Sequence, residues 1–197
     1  MSSELESGPL ELRVPLFEST VAAFEEDRRY VVADLGCARA GTVDLFSRFR
    51  CRLLVIDLPA ALEKRPTDGE PDSMAAWLDR LLAPIDDEPL DLILCWNLLN
   101  YLSPDEIRAL AGRLARCARP RASLHALIEY SARHMPSTPW SFAPQGPGQL
   151  TVEPISGPQS PAPRYSPKAL EKQLPGFGSE STMLLGNGMQ EFLYRRQ

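Results

Sequence analysis

Apolar residues fall in short, nearly unbroken runs, with helical patterns between them. Tyr30 to Gly36, Arg52 to Leu58, Leu90 to Trp96 and Ala122 to Tyr130 read as strands buried on both faces, the pattern of a parallel sheet. From Leu16 to Arg28, the apolar positions Leu16, Val21, Ala22 and Phe24 share a helical face. Gly41 to Arg50 repeats the pattern with Val43, Leu45, Phe46 and Phe49, and Ser73 to Leu82 with Met74, Trp77, Leu78 and Leu81, Ser73 being the N-cap. Ser103-Pro104-Asp105-Glu106 opens a helix with a capping residue, a proline at the first helical position and a glutamate three residues after the cap. That helix runs to about Cys117, and Pro120 stops it.

Less regular stretches lie between these elements. Residues 1 to 12 are polar and read as loose chain. Pro59 to Lys64 fits one or two helical turns, Arg65 to Asp72 a loop, and Asn97 to Leu102 a connection. A regular alternation calls for a further strand after the second, and its only candidate is a stub near Ala83 to Ile85. Residues 131 to 167 hold nine of the 19 prolines and read as a long loop of the kind that forms a lid or stays disordered. Ser166-Pro167 starts a short helix that ends before Pro175-Gly176. Thr182 to Leu185 and Gln190 to Arg195 pair through Asn187-Gly188, a strong hairpin signal. The predicted architecture is α/β: a doubly wound, mostly parallel sheet ending in an antiparallel β-hairpin. Residues 1–15 form a tail, and 16–197 a single domain.

Composition narrows the function. The chain has 197 residues and a formal charge of −5, which gives no basic surface for nucleic acid in bulk. The cluster Arg113, Arg116, Arg119, Arg121 reads as a solvated helix face. No run reaches the ~20 apolar residues that span a bilayer, and Met1 to Gly8 lacks the charged flank and apolar core of a signal peptide. The expectation is a cytoplasmic protein without membrane partners. Four isolated cysteines, none in a Cys-x-x-Cys pair, indicate neither a disulfide framework nor a zinc site. Two histidines exclude a His-rich metal site.

The chemistry is concentrated in Asp34-Leu-Gly36-Cys37-Ala38-Arg39-Ala40-Gly41, a turn from strand into helix. Gly36-x-Ala38-x-x-Gly41 differs in one residue from the dinucleotide fingerprint, and Asp57 lies 21 residues after Gly36, near the place of a ribose-binding acid. An NAD-type domain is therefore one reading. Asp34 tilts the choice, because a carboxylate repels pyrophosphate but attracts a cation. S-adenosylmethionine has an α-amino cation, a sulfonium and a ribose diol, and it has no phosphate. Two acids, Asp34 and Asp57, suit its two ends.

With these residues in order, the chain resembles the Rossmann-like (class I) S-adenosylmethionine-dependent methyltransferases over about residues 20 to 195. Asp34 to Gly41 resembles their first motif, Asp-x-Gly-x-Gly-x-Gly. Leu90 to Asn97, followed by Leu98 to Leu102, is similar to their fourth strand and its loop. Arg119-Pro120-Arg121 stands where the family often has Lys-Pro-Gly, and the last hairpin matches the family's last strands. The resemblance implies that Asp34, Gly36, Cys37, Ala38 and Gly41 hold the methionine part, Asp57 the ribose, and that Trp96 and Asn97 flank the methyl donor. It implies methyl transfer to an acceptor that is by default a small molecule, with no side chain singled out as catalytic. Glu129, Tyr130 and His134 follow the fifth strand, where an acceptor lies in this fold. Ala38 and Ala40 replace motif glycines. A second, non-enzymatic reading follows from them: a degenerate methyltransferase fold kept as a binding or regulatory module.

Overall fold

In the computed structural model, the described residues are 9–64, 74–153 and 157–197. The expected loop at 65–72, the Ser73 cap and the first eight residues of the tail lie outside them. The elements run β1 (Leu10–Arg13), α1 (Pro15–Ala22), β2 (Tyr30–Asp34), α2 (Ala40–Phe46), β3 (Cys51–Val55), α3 (Leu58–Glu63), α4 (Met74–Leu81), β4 (Leu90–Leu94), α5 (Pro104–Cys117), β5 (Ala118–Glu129), β6 (His134–Pro136), β7 (Ser141–Gly146), β8 (Gln149–Glu153), β9 (Gln159–Pro161), α6 (Pro167–Glu171), β10 (Phe177–Leu184) and β11 (Met189–Arg196).

Six strands form the central sheet in the order β10-β11-β5-β4-β2-β3. β2 to β5 are mutually parallel, β11 runs antiparallel to β5, and β10 antiparallel to β11. The sheet is therefore α/β, mostly parallel and closed by the expected hairpin. Successive side chains of a strand point to opposite faces, which splits the core in two. Val31, Ala33 and Ile93 pack with Leu78, Leu110, Leu114 and Leu170 of α4, α5 and α6. Val32, Leu92 and Leu94 pack with Phe17, Val21, Leu45 and Phe46 of α1 and α2.

Ser103 caps α5 as the sequence indicates: Glu106 N–H donates to its hydroxyl at 3.4 Å, and the Glu106 carboxylate accepts from Ser103 N–H at 2.8 Å. Replacing Ser103 with alanine leaves one helix-end donor without its partner. Urea denaturation is expected to show a loss of about 1 kcal/mol.

The structure corrects four expectations. The arginine cluster is not one solvated helix face, since Arg113 is buried and paired with Asp79 and Asp86, and Arg119 and Arg121 lie on β5. Ala83–Ile85 is a 3₁₀ turn, not a strand, and β3 is the edge of the sheet among the described residues. Pro84 has no N–H to give a ladder, which disfavours a central strand there. The chain before α1 is not loose throughout, since β1 pairs with β8 from Leu10↔Val152 to Arg13↔Gln149. The proline-rich segment is also not one long loop. It contains β6 to β9, with β1-β8-β7 forming a second sheet and β6-β9 a third. Phe142, Pro144, Leu150 and Val152 alternate with more exposed neighbours and bury one face. Pro144 is tolerated because β7 is an edge strand, where a missing donor costs no ladder bond. This strap lies against α2: a Cβ on Gly41 would collide with the Pro144 carbonyl oxygen. Among the described residues no helix is long and apolar enough to cross a membrane.

Candidate active site

Connections leave β2 in two directions, to β3 on one side and by way of β3 to β4 on the other. In an open α/β sheet a ligand cleft forms at such a switch point, beyond the carboxyl ends of the strands. Asp34 ends β2 and is level with Val55 on β3 and Leu94 on β4. Asp34, Asp57 and Trp96-Asn97 therefore converge on one edge of the sheet, although they are far apart in sequence.

Asp34 is fully buried. Its Oδ1 accepts from Gly36 N–H at 2.9 Å and from Trp96 Nε1–H at 2.6 Å, while Oδ2 has no partner among the described residues. Burial raises its pKa from the ordinary 3.8 to about 6, against the lowering effect of Gly36 N–H, the Trp96 indole and the Thr42 hydroxyl. The neighbouring Thr42 hydroxyl, also buried and without a hydrogen bond of standard geometry, is the one donor the chain offers near that oxygen. A neutral hydroxyl leaves the carboxylate's charge without a counter-ion among the described residues, so the site can take a further donor or a cation.

Trp96 is the second organising residue. Its backbone is left-handed (φ 45°), a conformation unfavourable for a bulky side chain. The indole is held by Asp34, by an edge contact with Phe17 at 5.6 Å between centroids, and by a stack on Phe142 at 5.7 Å. It covers Gly36 so closely that a Cβ there would lie 2.6 Å from the indole Cδ1. Neither Gly36 nor Gly41 has a positive φ. These two glycines are required by close approach of the protein's own chain, Trp96 in one case and Pro144 in the other.

Around this core lies a cleft lined by Gly36, Cys37, Trp96, Asn97, Trp140 and Phe142, among others. Its free volume is about 10 Å³, room for roughly one water. Cys37 Sγ donates to Ser141 Oγ at 3.3 Å, and Arg39 bonds the same hydroxyl and pairs with Glu153 at 2.5 Å. The strap is thus tied to the turn by side chains as well as by packing.

The other sequence-derived positions divide. Asp57 sits at the edge of the site in a left-handed conformation (φ 35°), and its Oδ1 accepts from Ala60 N–H at 3.2 Å as the N-cap of α3. Asn97 is buried in the lining. Ala38 is exposed with no positive φ, so its methyl neither strains the turn nor fills the cleft. Gly41 faces the strap rather than the cleft. Trp140 and Phe142 have no place in the sequence reading. Their one signal there is an aromatic pair, Trp140-Ser141-Phe142, within an otherwise proline-rich polar run. Beyond Asn97, Glu129 is buried at the end of β5, its backbone N–H bonded to Asn100 Oδ1 at 2.8 Å. Burial pushes its carboxyl upward, and burial together with Glu129 pushes the Tyr101 phenol upward.

Comparison with known proteins adds the architecture's relatives. No protein-family model matches the sequence, and no curated protein matches it either. Solved structures do match in fold. One is a Burkholderia thailandensis 1,6-didemethyltoxoflavin-N1-methyltransferase bound to 1,6-didemethyltoxoflavin and S-adenosylhomocysteine (16% identity, 92% of this chain and 78% of that one, TM-score 0.51). A Listeria monocytogenes protein assigned as an S-adenosylmethionine-dependent methyltransferase aligns over 92% of this chain and 96% of its own (11% identity, TM-score 0.54). A Pyrococcus horikoshii protein aligns over 93% and 88% (11% identity, TM-score 0.54). At these identities the likeness is one of architecture, and the chain has the Rossmann-like fold of the class I methyltransferases.

Proposed function

We propose that this protein binds S-adenosylmethionine at the carboxyl edge of β2, β3 and β4 and transfers its methyl group to a small-molecule acceptor. The observation that carries this reading is the unpartnered Oδ2 of the buried Asp34 at the switch point. A cationic α-amino group would supply the donor and the charge that Asp34 lacks. Gly36 and Cys37 would hold the methionine part, Asp57 the ribose through its oxygen not used in capping α3, and Trp96 and Asn97 would flank the donor. S-adenosylmethionine when bound supplies an activated methyl group, and positioning of the acceptor provides much of the rate. A pyrophosphate cofactor suits the site less well, since it would bring phosphate charge next to the Asp34 carboxylate.

The cleft's volume favours a second reading. Ligand pockets usually measure about 300–1,000 Å³, whereas here Trp96, Trp140 and Phe142 fill the space. Either the strap opens to admit the cofactor or the fold serves as a non-enzymatic binding module. Calorimetric titration with S-adenosylhomocysteine separates the two when run on the native protein and on Trp140→Ala. Removing one aromatic partner of the closed strap, worth about 0.5–1.5 kcal/mol, is expected to tighten binding about 2- to 10-fold, because less free energy is needed to open the cleft. Failure of both proteins to bind at millimolar ligand would overturn the methyltransferase reading.

A further inference from the structure

At the opposite end of the sheet lies a second cleft, built from arginines. β4 and β5 lose their register there: Leu90 pairs with Ala118 and Leu92 with Ser123, so one residue of β4 faces four of β5. These four residues, Arg119 to Ala122, stand opposite Asp91. An irregularity of this size breaks the ladder locally and re-aims the side chains it carries. Within this stretch Arg121 is left-handed (φ 66°), a conformation that favours glycine over any residue with a Cβ. Backbone strain carried by a charged residue motivates a search for what that charge meets.

It meets a cleft of about 300 Å³ that Arg28, Arg119, Arg121 and Arg195 line together with Asp91 and Ser123. The arginines come from three separate parts of the chain. Asp91, whose side chain is only 6% exposed, anchors two of them: Arg28 at 2.8 Å and Arg119 at 3.4 Å, while its other oxygen accepts from Val31 N–H at 2.9 Å. Arg28 also lies over the Tyr30 ring, 4.8 Å from its centre. Arg195 pairs with Glu180, donates to Ser123 Oγ at 2.5 Å, and reaches the Arg121 carbonyl at 3.3 Å. The Arg121 guanidinium has no hydrogen bond or ion pair among the described residues. Four guanidiniums against the carboxylates of Asp91 and Glu180 leave a local excess of two positive charges, in a chain whose net charge is −5.

We propose that this cleft binds a soluble small molecule through a phosphate or pyrophosphate group. Guanidiniums present paired donors that match phosphate oxygens, and the charge excess matches a dianion. The cleft is concave, and none of the exposed large apolar side chains lines it, so a bilayer surface is not what it fits. The site is independent of the cleft at Gly36, which lies beyond the other end of the strands.

Titration calorimetry with inorganic pyrophosphate at constant ionic strength tests the assignment on the full chain. The native protein is expected to bind in the micromolar to millimolar range, and Arg121→Gly and Arg119→Gln each to bind roughly tenfold more weakly. Arg121→Gly relieves a left-handed arginine, so its melting temperature is expected to equal or exceed that of the native protein, which separates lost binding from lost folding. Absence of binding by the native protein, or unchanged affinity in both variants, would overturn the proposal.

Discussion

Asp34→Asn is expected to make the protein more stable at neutral pH and weaker as a binder of S-adenosylhomocysteine. The Asp34 carboxyl has its pKa raised from 3.8 to about 6, first of all by burial. Between those two pH values the unfolded chain gives up the proton while the folded protein keeps it. Stability contributed by this group therefore falls as pH rises through that window and stays low above it. Two pH units correspond to about 3 kcal/mol. Asparagine keeps an oxygen for Gly36 N–H and Trp96 Nε1–H but carries no charge to desolvate. Urea denaturation of native and variant protein from pH 4 to pH 8 is expected to show a difference near zero at the acid end, growing to ~2–3 kcal/mol in favour of the variant above pH 6. A constant difference across the range would disprove the assignment. The same substitution removes the charge proposed to meet the α-amino group, so calorimetry at pH 8 is expected to show at least tenfold weaker binding. A group that lowers stability and raises affinity is the exchange expected at a functional site.

Glu191→Ala is expected to destabilise the protein by about 3–5 kcal/mol, because three buried groups lose their hydrogen-bond partner at about 1–3 kcal/mol each. Glu191 on β11 is completely buried. Its Oε2 accepts from Leu16 N–H at 3.0 Å, its Oε1 from Phe17 N–H at 2.8 Å, and Oε1 lies 2.9 Å from His125 Nε2. α1 has no side-chain cap of its own at Val14, so a residue 174 positions away caps it. The carboxylate also meets the positive end of the helix dipole. Glu191→Gln offers only one acceptor oxygen to donors that use two, and is expected to lose a substantial part of the same stability. Guanidinium denaturation followed by circular dichroism checks both variants; a loss below about 1 kcal/mol for Glu191→Ala would show that α1 is held by packing alone. Because Phe17 packs on Trp96, loosening α1 also frees one wall of the candidate active site. Weaker S-adenosylhomocysteine binding at temperatures where the variant remains folded would show that link.

The two residues differ in how far the sequence exposes them. Asp34 is visible because strand, turn and helix signals flank it, and local order within a βαβ unit fixes which end of the strand it occupies. Glu191 is one acid in a hairpin strand of mixed polarity, and no local signal marks its role.

By itself, the sequence determined the strands β2, β3, β4, β5 and β11 to within a few residues, the capped helix α5 and the mostly parallel α/β class. These depend on hydrophobic period, capping chemistry and chain order, all short-range properties. Only the tertiary structure decided that Ala83 to Ile85 stays out of the sheet, that the proline-rich segment folds into strands over α2, that Ala38 is exposed and does not line the cleft, and that Trp96, Trp140 and Phe142 nearly close it. It alone brought four arginines around Asp91 and placed Glu191 beneath α1. These arrangements rest on contacts between residues far apart in the chain. Their free energy comes from burial and from pairing across elements, and no local periodicity records it.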